Sequence, residues 1–160
     1  MEVDSEVKAA FEQKLVEILN SKSNALESII PTNMYQLLLE EVRAAQKAKA
    51  EKLPLTTKQY RRLNNFDILS LGGLERLICS KSKTEIKYYA SQEECFDIIH
   101  TTHLHSGHKR ERVMEIEMKK KYRNVTRDVL NAYLNCVRFA NLSRNILRKD
   151  WPLNRWYSVR

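Results

Sequence analysis

The sequence predicts a mainly α protein: an N-terminal helix pair, a small antiparallel β unit, and then a three-helix module. Three observations carry this. Apolar residues recur at steps of three and four through most of the chain, the spacing of one helical face. Helix-start signals stand before several of those runs. From Phe66 the texture changes to short apolar runs separated by turn residues, the pattern of a small β unit.

The helix pair occupies residues 1–52. Val7, Phe11, Leu15, Ile18 and Leu19 line one face of the first helix. Asp4 or Ser5 supplies its cap, and the Ser/Asn cluster from Asn20 to Asn24 ends it. Pro31-Thr32-Asn33 opens the second helix, with Tyr35, Leu38, Leu39, Val42 and Ala45 on its apolar face, and the helix fades through Ala44–Lys52. The two read as an antiparallel pair that forms a contact surface with no chemistry. Residues 53–90 read as a linker and small β unit. Pro54 breaks the helical pattern, and Thr57–Leu63 reads as one short basic helix. Phe66, Ile68, Leu69 and Leu71 precede a Gly72-Gly73 turn; Leu74, Leu77 and Ile78 follow it, then Ile86-Lys87-Tyr88-Tyr89. A unit this small must pack on helices.

The three-helix module occupies residues 91–142. Ser91-Gln92-Glu93-Glu94 fits a capping box, in which the Ser hydroxyl and the Glu carboxylate satisfy each other's free backbone donors. The helix it opens carries Cys95, Phe96, Ile98, Ile99 and Thr102 and stops near Gly107. The next runs from about Lys109 to Tyr122 with Val113, Ile116 and Met114 inward. Thr126 caps the last, with Asp128 in its first turn and Val129, Leu130, Tyr133 and Leu134 on its inner side. Residues 143–160 read as a basic tail holding both Trp residues and Pro152.

Composition narrows the function classes. Apolar residues at 42% and charged residues at 30% are the balance of a globular protein. No run approaches the roughly 20 apolar residues a membrane-spanning helix needs, so no membrane partner is expected. Cys79, Cys95 and Cys136 are odd in number and widely spaced, which points to a reducing intracellular compartment rather than a disulfide scaffold. Cys79 and Cys95 fall at inward positions and read as small core residues. Gly72-Gly73 has no Lys-Ser or Lys-Thr after it at the spacing a phosphate-cradling loop requires. The net charge of +8 is unevenly placed: −2 over residues 1–50, +1 over 51–108 and +9 over 109–160. A basic end on a near-neutral body is the electrostatic footprint of a polyanion partner, or else simply a soluble basic surface.

All four His lie between positions 100 and 108: His100, His103, His105 and His108. A His-x4-His pair at the end of one helix and Cys136 near the end of another are most of a tetrahedral zinc site, since neutral imidazole and thiolate are the preferred donors of that ion. The stretch from Ile86 to Asn141 resembles the His-His-Cys-Cys zinc-binding module of retroelement and transposon integrases. The resemblance rests on Ile86-Lys87-Tyr88-Tyr89, Phe96-Asp97-Ile98-Ile99, the His103/His108 pair with Gly107 before its second member, Arg112-Val113-Met114, Lys121-Tyr122-Arg123-Asn124-Val125-Thr126 and Tyr133-Leu134-Asn135-Cys136. Its nearest likeness is to domesticated cellular relatives of such integrases.

The resemblance implies zinc ligands at His103, His108 and Cys136. The second Cys position falls on Phe139, which has no donor atom. Zinc is therefore expected to be weak or absent. Either a water, His105 or His100 completes a weaker site, or Phe139 fills the space and apolar contacts alone hold the helices. The resemblance also implies nuclear residence and DNA or another nucleic acid as partner, with pairing of two copies as a further property of such modules.

An enzyme is not expected. Integrase strand transfer needs a separate core with three acidic residues holding two metal ions, whereas only twenty-four residues follow Cys136 and Asp150 is the one acid among them. Cys95 and His103 are two helical turns apart, too far for a nucleophile–base pair. Two function classes remain. One is a non-catalytic, integrase-derived nucleic-acid-binding module using Lys119, Lys120, Lys121, Arg123, Arg144, Arg148 and Lys149, with Tyr133, Trp151, Trp156 and Tyr157 interleaved for stacking. The other is a protein-interaction or dimerisation module without nucleic-acid binding.

Overall fold

The computed structural model describes residues 2–21, 29–82, 84–107 and 111–149. They form helices α1 (Glu2–Ser21), α2 (Thr32–Ala50) and α3 (Thr57–Asn65), strands β1 (Phe66–Leu71) and β2 (Leu74–Cys79), and helices α4 (Gln92–His105), α5 (Glu111–Lys121) and α6 (Arg127–Lys149). The mainly helical expectation holds. β1 and β2 form an antiparallel hairpin in register from Phe66 opposite Cys79 to Leu71 opposite Leu74. Its two-residue turn needs positive φ at both positions, which Gly72 (+56°) and Gly73 (+82°) accept without a side-chain clash.

Both helices of the expected N-terminal pair form, but they serve different cores. The face of α1 (Val7, Phe11, Leu15) is buried with residues of α4, α5 and α6, and α1 packs chiefly along α6. Phe11, Phe96 and Tyr133 meet there as three rings with centroids about 6 Å apart. The face of α2 turns elsewhere: Tyr35, Leu38, Leu39 and Val42 cover Phe66, Leu77 and Cys79 of the hairpin. The reason is that a two-stranded hairpin cannot bury an apolar face by itself. It takes α2 as its cover, and the three-helix module takes α1. The Tyr35 hydroxyl accepts a hydrogen bond from Leu77 N at 3.0 Å, which pins α2 to β2 in the buried layer. Glu41 on α2 binds Lys58 at 2.5 Å and Arg62 at 2.7 Å on α3. These two cations hold the Glu41 carboxyl below its ordinary range.

Residues 86–90 join the two cores. Cys79 N donates to Lys87 O at 2.8 Å and Tyr89 N to Leu77 O at 3.0 Å, so this run pairs with β2 without becoming a strand. On its other side, Tyr88 N donates to Lys121 O at 2.8 Å and Arg123 N to Tyr88 O at 2.9 Å.

Several local expectations change. Asp4 and Ser5 lie inside α1, which begins at Glu2. Ser91 stands at the start of α4 but makes no side-chain cap. Instead Gln92 N donates to Ile30 O at 2.8 Å, and Glu94 pairs with Arg76 at 3.3 Å, so tertiary partners replace the local box. On α5 it is Met114 and Met118 that are buried, while Val113 and Ile116 are exposed; the flexible thioethers reach His103 and Thr102, filling an irregular gap better than branched side chains. Thr126 stands directly before α6, but its buried hydroxyl has no hydrogen-bond partner among the described residues. The expected tail from residue 143 is helical to Lys149; Asp150–Arg160, with both Trp residues, lie outside the described residues. No helix among the described residues is long and apolar enough to cross a membrane.

Candidate functional site

α5 ends in three lysines because its last turn leaves carbonyls unpaired, and cations are favourable beside them. Lys119, Lys120 and Lys121 are all exposed, as is Arg123 in the turn that follows. Lys119 pairs with Glu115 at 2.7 Å. Among the described residues no carboxylate pairs with Lys120, Lys121 or Arg123. The turn is held from beneath by Asn124, which is completely buried. Its Oδ1 accepts from Ala90 N at 2.8 Å and its Nδ2 donates to Ala90 O at 2.8 Å. A side chain that binds both backbone groups of one residue acts as a short stretch of ladder. With the two Tyr88 bonds it fixes the conformation of residues 121–124.

A surface cleft of about 380 Å³ opens beside this turn, lined by Lys87, Lys119, Arg123 and Arg127 with Tyr122 and Glu115. Thr126 also lines the cleft at the start of α6, with its hydroxyl buried beneath the surface. Arg127 is tied to Glu111 at 2.9 Å. Sequence reasoning missed Asn124, Lys87 and Arg127. Asn124 stands in a turn without periodicity, so nothing in its neighbours signals burial; Lys87 approaches only because the 86–90 run crosses over.

The other expected basic residues stand elsewhere. Arg144 is exposed on α6, and Arg148 and Lys149 belong to its last turns. At 1.5 Å per residue, Arg144 is roughly 25 Å along the helix from Arg127. The basic residues therefore form two groups, one at each end of α6.

The expected zinc ligands separate as follows. His103 is buried in the last turn of α4, with Nδ1 3.4 Å from Met114 Sδ. Its ring meets Tyr133 edge-on with centroids 5.6 Å apart. Tyr133 is one turn before Cys136 on α6, and both are buried, so Tyr133 packs the core and is not available to stack on bases as the sequence suggested. Burial pushes the Cys136 thiol up, opposed by the Lys14 ammonium. His108 lies outside the described residues. His105 is exposed, and His100 is hydrogen-bonded through Nδ1 to the Tyr133 hydroxyl at 2.9 Å. Phe139 is 66% exposed, with Lys14 Nζ 6.0 Å from its ring centre, so it does not fill a ligand's place with packing. Among the described residues no group of three or more His, Cys, Asp or Glu side chains could hold a metal ion. A four-donor site made from His103, His108, Cys136 and position 139 is excluded by chemistry, because the phenyl ring of Phe139 has no lone pair to donate. Cys95 is buried in the core, its thiol pushed up to about 12, and is inert.

This chain is a distant homologue of human KRAB-A domain-containing protein 2. The two are 33% identical over 132 residues, 81% of this chain. The chain spans about a quarter of that relative, 26% of its length. No family model matches the chain, and no solved structure matches it.

Proposed function

We propose that this chain is a non-catalytic nucleic-acid-binding module of integrase descent, with the turn between α5 and α6 as its phosphate-binding surface. The observation that carries this reading is the display of exposed Lys119, Lys120 and Lys121 at the end of α5 and of Arg123 on the turn after it, which Asn124 and Tyr88 hold in one conformation. Cations on a rigid turn lose less freedom when a phosphate engages them than cations on a loose one. The adjoining cleft adds Lys87 and Arg127 and lies at the N-terminal, positive end of the 23-residue helix α6. The integrase origin is supported by the residue pattern from Ile86 to Cys136. Nuclear residence belongs to the same reading.

The test is salt dependence. Replacing Lys119, Lys120 and Lys121 by Ala is expected to weaken binding to duplex DNA uniformly across sequences. It should flatten the dependence of log affinity on log salt by roughly 0.9 for each phosphate no longer engaged. An affinity and slope identical to those of the unaltered chain would overturn the reading in favour of a protein-interaction surface, whose apolar contacts respond little to salt.

Under the same reading zinc is expected to be substoichiometric. Cys136 and position 139 are one helical turn apart, with Cβ atoms about 5–6 Å from each other. Phe139→Cys therefore places a second thiolate beside the first, and is expected to raise both zinc content and melting temperature. Elemental analysis of the two purified proteins checks it. One tightly held zinc per chain before substitution would mean that another group has taken the fourth position.

A further inference from the structure

The exposed side of α6 carries side chains that nothing in the fold uses. Asn135, Arg138, Leu142 and Asn145 stand at i, i+3, i+7 and i+10, the spacing of a single helical face, and all are exposed. Leu142 is 57% exposed. The opposite side, with Val129, Leu130, Tyr133 and Cys136, faces the core. Among the described residues none hydrogen-bonds or ion-pairs with Asn135, Arg138 or Asn145. The polar residues nearer the helix start are already occupied: Arg127 binds Glu111, and with its amide suitably turned Asn131 donates to the same carboxylate. The free face thus begins one turn past the cover that α5 provides.

The composition of this face is specific. Asn presents a donor and an acceptor side by side, the match for the N6 and N7 edge of adenine. Arg presents a two-pronged donor, the match for O6 and N7 of guanine. An exposed aliphatic residue between them fits the methyl group of thymine. The helix as a whole is complementary in charge to DNA, because α6 carries Arg127, Arg138, Arg144, Arg148 and Lys149 against the single carboxylate of Asp128. The dimensions agree as well. Asn135 to Asn145 spans about 15 Å of helix, the rise of four to five base pairs of duplex. The α5–α6 turn sits at the N-terminal end of the same helix, roughly 12–17 Å before Asn135 and Arg138.

We infer that α6 is a base-reading helix, which lays Asn135, Arg138, Leu142 and Asn145 in the major groove of duplex DNA while the α5–α6 turn grips a flanking phosphate backbone. This inference rests on the proposed nucleic-acid function and deepens it from phosphate contact to sequence preference.

The experiment uses the full chain and a pool of 20-base-pair duplexes with a randomised centre. Bound duplexes are selected at physiological salt and sequenced, and affinities are then measured for the enriched duplex and a scrambled one. A preferred run of four to five base pairs containing a guanine and an adenine is expected. Arg138→Lys keeps the charge but loses the two-pronged donor. It should lower the ratio of enriched to scrambled affinity by about tenfold or more while leaving the salt slope unchanged. Asn135→Ala should relax the preference at one adenine position. Lys120→Ala, by contrast, should weaken both duplexes equally. If no sequence is enriched, or if Arg138→Lys and Asn135→Ala leave the ratio unaltered while both duplexes still bind, the base-reading inference is overturned and the phosphate-binding reading stands. If neither duplex binds, both are overturned.

Discussion

Asn124→Ala is expected to destabilise the protein by about 2–4 kcal/mol. The substitution removes an amide that satisfies both backbone groups of Ala90 at 2.8 Å, in a place where Asn124 and Ala90 are completely buried. Each buried backbone group left without a partner costs roughly 1–3 kcal/mol. For a chain of this size the melting temperature should fall by roughly 10 °C. Asn124→Asp separates the two bonds, since a carboxylate still accepts from Ala90 N but no longer donates to Ala90 O. It should cost more than one missing bond alone, because a charge is then buried against a carbonyl. Chemical denaturation of the three proteins gives the ranking. Hydrogen exchange gives the location: the amides of Tyr88, Ala90 and Arg123 should lose protection together, since they belong to one lattice of bonds between residues 86–90 and the α5–α6 turn. Under the proposed nucleic-acid reading, Asn124→Ala is also expected to weaken DNA binding under conditions where it remains folded, because Asn124 is completely buried and holds the turn that carries Lys121 and Arg123. A loss of less than about 0.5 kcal/mol would mean that water replaces the amide at no cost and that the turn is not rigidly held.

Tyr133→Ala should be more damaging still, by about 3–5 kcal/mol. Tyr133 is completely buried where α1, α4 and α6 meet, with its ring near Phe11, Phe96, His100 and His103. Truncation leaves a cavity bounded by three rigid helices that cannot all close on it, so the transfer and cavity costs both apply. Tyr133→Phe isolates the hydroxyl, which is bonded to His100 Nδ1 at 2.9 Å, and should cost about 1 kcal/mol. Urea unfolding of both variants checks the pair. Near-equal losses would place the stabilisation in the hydroxyl rather than in ring packing. A Tyr133→Ala loss below about 1 kcal/mol would mean that α1 does not depend on this core at all, contrary to the burial of Phe11 and Leu15.

Local chemistry made much of the fold legible. The apolar face of α2 was readable to the residue, because Tyr35, Leu38, Leu39, Val42 and Ala45 repeat at the helical period, and all five are buried. The hairpin was readable for a similar reason. Gly72-Gly73 is the one pair able to take positive φ twice in succession, and the flanking runs match in length. The exposed lysines at the end of α5 follow from charge and position alone. For the candidate site, residue types could be chosen from sequence, but their grouping could not: Arg144 is separated from Arg123 by most of the length of α6, because a helix that reads as ending near residue 142 continues to Lys149.

What the tertiary structure alone decided is which surfaces meet. Periodicity says that α1 and α2 each bury a stripe, and short-range order suggests that they bury it against each other. The stripes are instead claimed by two different partners, each of which lacks a cover: the hairpin for α2, and the three-helix module for α1. The same competition explains the capping box that did not form at Ser91, where Ile30 O offered Gln92 N a partner that no local pattern encodes. It also explains Asn124, whose buried amide binds a backbone segment more than thirty residues earlier in the chain. Sequence determines what each segment would do by itself, because those preferences arise from a residue and its near neighbours. The pairing of faces is settled by burial and hydrogen-bond satisfaction over the whole molecule, and those are properties of distant residues brought together.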